Sequence, residues 1–301
     1  MKIGYPCLNR GIGCTANSTF RLANYSASRF LTTVQNNLSC LRDILRYNID
    51  HGLLFLRISS DIIPFASHPV CTLNWRKTFN KELAGLGKLI RAHRMRISMH
   101  PDQFVLLNAQ RQNIVDKSVR DLDWHCRFLD SMGMGDDAKV QIHIGGVYGD
   151  KPSAIDRFTR TYRRLPLFIR RRLVIENDDR LFTVRDCLDI HRTTGIPVLF
   201  DNFHHACHND GESLRTALRQ TACTWKTTDG PPMLDYSSQQ PGARRGKHAE
   251  SIDIDDFKEF LRASRGWDGD IMLEIKDKEQ SALKAVELIR KAAAGSPRIR
   301  Q

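Results

Sequence analysis

Short apolar runs alternate along the chain with longer segments in which apolar residues recur every three or four positions. The short runs, rich in Val, Ile and Leu, are typical of buried strands, and the longer segments are typical of amphipathic helices. The predicted strands are Lys2–Tyr5, Leu53–Ser59, Arg96–Met99, Lys139–Ile144, Leu173–Glu176, Pro197–Phe200, Pro232–Tyr236 and Asp270–Ile275. The predicted helices are Thr32–Asp50, Asn80–Arg94, Asn113–Met132, Ser153–Arg170, Val184–His191, Gly211–Thr221, Asp253–Ala263 and Ser281–Ala293.

This alternation predicts an α/β fold, a (β/α)8 TIM barrel in a single domain. The strands are too apolar to leave one face in water, so they indicate a parallel sheet covered by helices, and eight such units close into a barrel. An open doubly wound sheet is the alternative, but no Gly-x-Gly-x-x-Gly turn follows the first strand. We expect the barrel to cover residues 1–292 and residues 293–301 to form a flexible tail.

Six consecutive predicted strands carry a His or a carboxylate at or near their ends. These residues are His100, His143, Glu176, Asp201, Asp235 and Glu274. Because the carboxyl ends of barrel strands meet at one rim, we expect these side chains to lie together. Imidazole nitrogens and carboxylate oxygens are ligands of divalent cations, and several buried carboxylates without a cation would be severely unfavourable. Any one residue alone would more often be scaffold, but six at the same relative position predict a metal site.

The overall charge favours a polyanionic partner. The 301 residues include 46 Lys and Arg against 34 Asp and Glu, a formal net charge of +12. Each basic side chain that neutralises a phosphate releases condensed counterions. A basic surface that serves only solubility is the alternative, and for the run Arg170–Arg172 both a phosphate contact and a solvent-exposed helix face remain open.

Composition and cysteine spacing exclude several classes of protein. With 41% hydrophobic residues the chain is not intrinsically disordered, and no apolar run approaches the roughly 20 residues of a membrane helix. Met1–Arg10 lacks the apolar stretch of a signal peptide. None of the eight cysteines forms a Cys-x-x-Cys pair, so we expect reduced thiols in a cytoplasmic protein.

Eight motifs occur in order along almost the whole chain. They are Gly-Tyr5-Pro-Cys-Leu-Asn9, Leu-Arg-Ile-Ser-Ser-Asp61, His100-Pro-Asp-Gln103-Phe104, His143-Ile-Gly-Gly, Glu176-Asn-Asp, Phe-Asp201-Asn-Phe-His204-His, Asp235-Tyr-Ser-Ser-Gln and Lys247-His248-Ala-Glu. This set resembles the UV damage endonucleases, which are relatives of endonuclease IV and of xylose isomerase-like barrels. The resemblance extends from Met1 to Ala292.

The resemblance implies a DNA-repair endonuclease that hydrolyses a phosphodiester bond with the help of metal ions. Such an enzyme nicks duplex DNA immediately 5′ of a UV photoproduct and leaves a 3′-hydroxyl and a 5′-phosphate. The implied metal ligands are His68, His100, His143, Glu176, Asp201, His204, Asp235, His248 and Glu274. Glu176 would bridge two metals and, with Asp201 and Glu274, form the catalytic carboxylates. We expect damaged double-stranded DNA as partner, and a monomer associated with the nucleoid through DNA.

The resemblance implies two to three Mn²⁺ ions, and one departure bears on their number. Better-studied relatives place a modified lysine two residues before a His on the seventh strand, where this chain has Met233 and Asp235. Asp235 can bind a cation, but Met233 cannot supply a carbamate oxygen. We therefore expect two well-held ions.

The resemblance also implies residues that recognise the lesion. Gln103 and Phe104 would enter the gap left by a flipped lesion, because a planar amide and an aromatic ring can occupy a vacated base position. Tyr5 and Asn9 would help to line the lesion pocket.

Three alternative functions remain. A metal-dependent sugar isomerase would explain the ligands, but not the charge of +12 or a Gln103–Phe104 loop. A non-catalytic protein that binds damaged DNA would need no metal ligands. A nuclease specific for abasic sites would differ from a UV-lesion enzyme only in the width of its pocket.

Overall fold

All eight predicted strands form, and they pair in chain order into a closed parallel barrel. The computed structural model describes residues 1–294, and the side chains of residues 1–291. The strands are β1 Ile3–Pro6, β2 Phe55–Ile58, β3 Arg96–Met99, β4 Lys139–Ile142, β5 Leu173–Glu176, β6 Val198–Asp201, β7 Met233–Tyr236 and β8 Asp270–Leu273. β1 closes the barrel on β8 through the pairs Ile3–Ile271 and Gly4–Met272. The predicted TIM barrel is confirmed.

Helices follow the strands around the barrel. They are α1 Ala27–His51, α2 Trp75–Thr78, α3 Asn80–Ala92, α4 Gln112–Ser131, α5 Lys151–Arg164, α6 Leu167–Arg170, α7 Val184–Thr194, α8 Asn202–Cys207, α9 Leu214–Ala222, α10 Ile254–Ala263 and α11 Glu279–Ala294. Their apolar faces pack against the outer faces of the strands in one large core. No helix among residues 1–294 is both long enough and apolar enough to cross a membrane.

Helix boundaries differ from the predicted ones where local chemistry overrides periodicity. α1 begins five residues early, because Ser26 Oγ accepts the N–H of Arg29 and caps the helix. The predicted helix Ser153–Arg170 is two helices, because Pro166 disfavours the helical conformation at Leu165, whose ψ is 144°. The short helices α2 and α8 are too brief for periodicity to indicate.

The barrel interior has an apolar middle layer below a polar rim. Phe55, Val174, Leu199, Met233 and Met272 form this layer and are almost completely buried. β1 approaches β2 very closely: a Cβ atom at Gly4 would overlap the carbonyl oxygen of Phe55, so only glycine fits there. The interior is therefore packed, and substrate chemistry is confined to the loops at the strand ends.

The amino end of the barrel is closed by buried ion pairs. Arg96 lies 3.3 Å from Asp270 and against the ring of Trp225, and Lys139 bonds Asp229. Each of these buried charges is paired, as burial requires.

The structure corrects the cysteine prediction and one residue of the basic run. Cys14 and Cys40 form a disulfide with their Cα atoms 5.9 Å apart, although we expected eight reduced thiols. Their separation of 26 residues hid the pair, because the loop after β1 folds back onto α1. Arg172 is fully buried and donates to Asp130 and to backbone carbonyls of the segment after α4, so it neither faces solvent nor contacts phosphate.

The predicted tail lies mostly outside the described residues. α11 includes Ala293 and Ala294, the first two residues of that segment. Residues 295–301 lie beyond the described part of the chain.

Candidate metal centre

The strand ends bring the predicted ligands to one rim of the barrel. His100 directly follows β3, His143 directly follows β4, and Glu176 is the last residue of β5. Asp201 ends β6 and caps α8, so that His204 lies in the first turn of that helix. Asp235 lies within β7, and Glu274 directly follows β8.

Three groups of these side chains have the geometry of a cation site. The groups are His100–His143–Glu176, Glu176–Asp201–His204 and Asp201–Asp235–Glu274, each with ligand atoms within 4.8 Å of one another. Glu176 belongs to the first two groups and Asp201 to the last two. Shared carboxylates place the groups side by side, as expected for a site that binds more than one ion.

Hydrogen bonds to backbone carbonyls orient three imidazoles of the rim. The Nδ1 atom of His100 lies 2.8 Å from the carbonyl oxygen of Pro101. The Nδ1 atom of His204 lies 3.0 Å from the carbonyl oxygen of Asn177, and the Nδ1 atom of His248 lies 3.0 Å from that of Glu274. A carbonyl only accepts, so Nδ1 carries the proton in each ring and Nε2 is left as the ligand atom.

Glu176 lies at the centre of the site. Its Oε1 atom is 2.8 Å from His143 Nε2 and 3.1 Å from His100 Nε2, and Gln141 donates to its Oε2 atom. Burial alone would raise the pKa of Glu176, but the two imidazoles lower it well below its usual range. Burial likewise opposes a charge on His143, yet Glu176 raises the pKa of His143 to about 9. The positive charge of the imidazoles thus lies where a cation would bind.

Asp201 offers an oxygen that no hydrogen bond uses. Its Oδ1 atom accepts the His204 N–H at 2.7 Å, whereas no donor among the described residues bonds its buried Oδ2 atom. Burial raises the pKa of Asp201 to about 6. Asp201 and its carboxylate neighbours raise the pKa of His204 to about 10 against the effect of burial.

The third group contacts a residue that the sequence interpretation missed. Arg57 of β2 is buried within the barrel and donates to both Asp235 oxygens, at 2.7 and 2.8 Å, and to Glu274. It also donates to Gln141 at 2.7 Å, and Gln141 in turn donates to Asp235 at 2.6 Å. Burial opposes the charge on Glu274, but Arg57 lowers the pKa of Glu274 to about 2.

The residues present fit divalent cations. Four buried or nearly buried carboxylates, those of Glu176, Asp201, Asp235 and Glu274, face one guanidinium, that of Arg57. The remaining negative charge needs protons on the neighbouring imidazoles or bound cations, and one Asp201 oxygen accepts no hydrogen bond within the described residues. Nitrogen and oxygen donors without a thiolate suit Mn²⁺, Zn²⁺ or Mg²⁺.

Two predicted ligands lie outside these three groups. The His248 ring is 6.1 Å from that of His204, so it borders the second group. His68 follows β2, and its Nδ1 atom accepts the Val70 N–H at 3.1 Å. Neither residue belongs to a close three-ligand cluster within the described part of the chain.

The predicted lesion residues divide into exposed and buried pairs. Gln103 is exposed, and Phe104 has 72% of its surface exposed, in the loop after β3. Tyr5 and Asn9 are buried, and the Tyr5 hydroxyl bonds Asn48 and Asn9. This polar network holds both side chains in place at the end of β1, and their role in lining a lesion pocket stays a prediction.

The rim has further exposed features that sequence reasoning passed over. Tyr148, in the loop after β4, is 41% exposed, and the Arg157 guanidinium lies 5.3 Å from its ring centre. The sequence feature that could have indicated Tyr148 is an aromatic residue among three glycines in the segment that follows His143. Six exposed basic residues occupy loops on the same side of the barrel: Arg10, Arg111, Arg180, Arg244, Arg245 and Lys247.

Comparisons with known proteins agree on one family. The family model described as UV-endonuclease UvdE matches residues 1–296. The UV DNA damage endonuclease of Clostridium perfringens (strain 13 / Type A) is 38% identical over 292 residues, which cover 96% of this chain and 71% of that protein. The crystal structure of SacUVDE superposes with a TM-score of 0.94 at 45% identity, covering 97% of this chain and 99% of that one.

More distant structures share the fold alone. Endonuclease IV from Thermus thermophilus has a TM-score of 0.58 at 15% identity, over 85% of this chain and 95% of its own. D-psicose 3-epimerase from Clostridium cellulolyticum has a TM-score of 0.56 at 14% identity, over 83% of this chain and 92% of its own. The family model and the close relatives are decisive: the chain belongs to the UV-endonuclease UvdE family.

Proposed function

We propose that this protein is a DNA-repair endonuclease that nicks duplex DNA immediately 5′ of UV photoproducts, leaving a 3′-hydroxyl and a 5′-phosphate. The observation that carries the proposal is Glu176, which is shared by two histidine-containing ligand groups at the rim. The names of the relatives, UV DNA damage endonucleases, support the substrate. A sugar isomerase is disfavoured by the exposed Phe104 and the basic loops around the same rim.

The ligand groups would hold divalent cations, which we propose to be Mn²⁺. His100, His143 and Glu176 would hold one ion, and Glu176, Asp201 and His204 a second. Glu274 and His248 border these groups, and His68 would join them only if its loop moved. Bound divalent ions supply positive charge to the scissile phosphate and promote ionisation of the attacking water.

The chain itself positions these groups. Carbonyl contacts of His100, His204 and His248 direct Nε2 towards the centre, and Gln141 fixes the orientation of Glu176. Phosphodiester hydrolysis depends on such preorganised charge and on in-line positioning. Glu176, Asp201 and Glu274 are the carboxylates that would face the reacting phosphate.

Gln103 and Phe104 would probe the duplex. An exposed ring on a loop beside the rim can stack on bases next to an extruded lesion. Extrusion costs less where damage has already weakened stacking, and this difference provides selectivity. The basic loops would contact phosphates on either side. Because the substrate is chromosomal DNA, we place the protein in the cytoplasm at the nucleoid, as a monomer.

An incision assay tests this function. Purified protein is incubated with duplexes that carry a pyrimidine dimer, a 6-4 photoproduct, an abasic site or no damage, with Mn²⁺ or with chelator. We expect Mn²⁺-dependent nicking 5′ of the photoproducts. Cleavage of the abasic duplex alone would favour the abasic-site nuclease, and nicking of none of the duplexes would refute the proposal.

A further inference from the structure

The third ligand group differs from the other two in its residue types and in its hydrogen-bond partners. Asp201, Asp235 and Glu274 are all carboxylates, without the imidazole that each of the other groups contains. Two of the three, Asp235 and Glu274, already accept hydrogen bonds from the Arg57 guanidinium. Neither of the histidine-containing groups has an arginine among its hydrogen-bond partners in the described residues.

Both carboxylate oxygens of Asp235 already accept hydrogen bonds from the protein, one of whose donors is a permanent cation. Its Oδ1 atom accepts from Arg57, and its Oδ2 atom accepts from both Arg57 and Gln141. Asp235 has no exposed side-chain surface and Arg57 only 4%. A metal ion on Asp235 would have to displace these buried donors, which would lose their hydrogen bonds.

Charge also opposes a metal ion in this group. A guanidinium stays protonated at all physiological pH values, so Arg57 is a permanent cation. A divalent ion bound to the same oxygens would lie within a few ångströms of it, where like charges repel strongly in a buried site. Below Asp235, Met233 belongs to the apolar layer and offers no oxygen to such an ion.

We propose that Arg57 is the built-in third cation of the site, so that the chain binds two metal ions and Asp235 positions Arg57 instead of binding metal. Through Gln141, the same network holds Glu176, the residue shared by the two metal groups. Arg57 is thus a positioning residue. The inference rests on the proposed metal-dependent function, but its readout is a count of ions and not an activity.

Equilibrium dialysis of the full-length protein against Mn²⁺, followed by metal analysis, tests the proposal. We expect two ions per wild-type chain, two in Asp235→Asn, and one fewer in Asp201→Asn. Three ions in the wild type, or the loss of an ion in Asp235→Asn, would overturn the assignment of Arg57. A wild-type chain that binds no Mn²⁺ would refute the proposed metal centre itself, which is a distinct outcome.

Arg57→Met supplies the converse test. It removes the charge at similar length and leaves Asp235 and Glu274 free, so we expect a third ion to bind. Arg46→Met removes an exposed arginine of α1 and should leave the count at two. An Arg57→Met protein that still binds two ions would show that Arg57 does not exclude the third. If this variant does not fold, the wild-type and Asp235→Asn counts decide the question.

Discussion

Glu176 shows how a single residue can connect two sites. It ends β5 and is buried, and its carboxylate meets an imidazole from each of β3 and β4 while sharing a ligand group with β6. A carboxylate in that position would hold two cations at once, which neutral side chains of the same shape would not do.

Replacing Glu176 therefore tests the centre most directly. In Glu176→Gln we expect loss of at least one bound Mn²⁺ ion and a fall of about 100-fold or more in nicking rate, because metal ligands and their neighbours have effects of this size. Metal analysis and an incision assay measure both. Glu259→Gln, on the exposed face of α10, is the matched control and should behave as wild type. Normal metal content in Glu176→Gln would contradict its role as a shared ligand.

The histidines of the site predict how metal binding depends on pH. With pKa values of about 9 for His143 and about 10 for His204, both rings hold an extra proton at neutral pH. Mn²⁺ must displace these protons, so its affinity should rise with pH up to about 9, by at most tenfold per pH unit for each proton released. Titration calorimetry in two buffers measures the protons released. An affinity that does not change between pH 6.5 and 8.5 would contradict the prediction.

The same groups give the opposite trend for stability without metal. Their pKa values lie above about 6.5, the value expected in the unfolded chain, so their contribution is complete below pH 6.5 and is lost as pH rises through 9 to 10. Urea unfolding in chelator at pH 6.5 and 9.5 measures this loss. In His143→Gln, the difference in the free energy of unfolding between pH 6.5 and 9.5 should be smaller. The same difference as in the wild type would rule out a contribution from His143.

At the scale of elements, the loops after the strands carry different parts of the candidate site. The loop after β3 carries His100 at its start and the exposed Phe104 four residues later, so a candidate metal ligand and the ring that we propose contacts DNA share one short segment. Helix α8 follows β6 directly. The Asp201 carboxylate, at the end of β6, both caps this helix and faces the site.

Phe104 should affect DNA binding without affecting the fold. Since its ring is 72% exposed, Phe104→Ala should leave the melting temperature unchanged. Loss of one stacked base is worth about 1–3 kcal/mol, so affinity for a photoproduct duplex should fall about 5-fold to 150-fold. Fluorescence anisotropy of a labelled photoproduct duplex measures this affinity. Leu167→Ala removes a similarly exposed apolar side chain from α6 and should not weaken binding. Equal losses in the two variants would argue against a specific contact.

At the scale of the whole molecule, part of the basic charge of the chain lies in the loops around the ligand groups. Loops that follow β1, β3, β5 and β7 carry six exposed basic residues on the side of the barrel that holds the ligand groups. We expect a polyanion attracted to these loops to lie next to the candidate metal centre.

Salt dependence tests this arrangement. If these six residues each neutralise a phosphate, affinity for undamaged duplex should fall about 10³-fold between 50 and 200 mM salt. The double variant Arg244→Gln/Arg245→Gln should reduce the slope of the logarithmic plot by about 2. Arg46→Gln on α1 is the control and should not change it. A slope that stays the same in the double variant would place these residues away from the DNA.

The sequence predicted the barrel, because strand and helix periods are local properties that repeat eight times in this chain. It also predicted the rim, since His100, His143, Glu176 and Glu274 follow from where strands end, and the barrel topology fixes that all strand ends meet. Local pattern could not predict Arg57, whose partners Asp235 and Glu274 lie 178 and 217 residues away and meet it only across the barrel interior.

The same distinction explains the other differences. Only the closed structure turned Tyr5 inward towards Asn48, joined Cys14 to Cys40 and buried Arg172 against Asp130. Each of these contacts joins residues far apart in sequence, and its energy depends on burial, which no single segment possesses. The sequence by itself thus determined which ligand types reach the rim, and the tertiary structure decided which of them stay free for a cation and which are already paired with a charge of the protein.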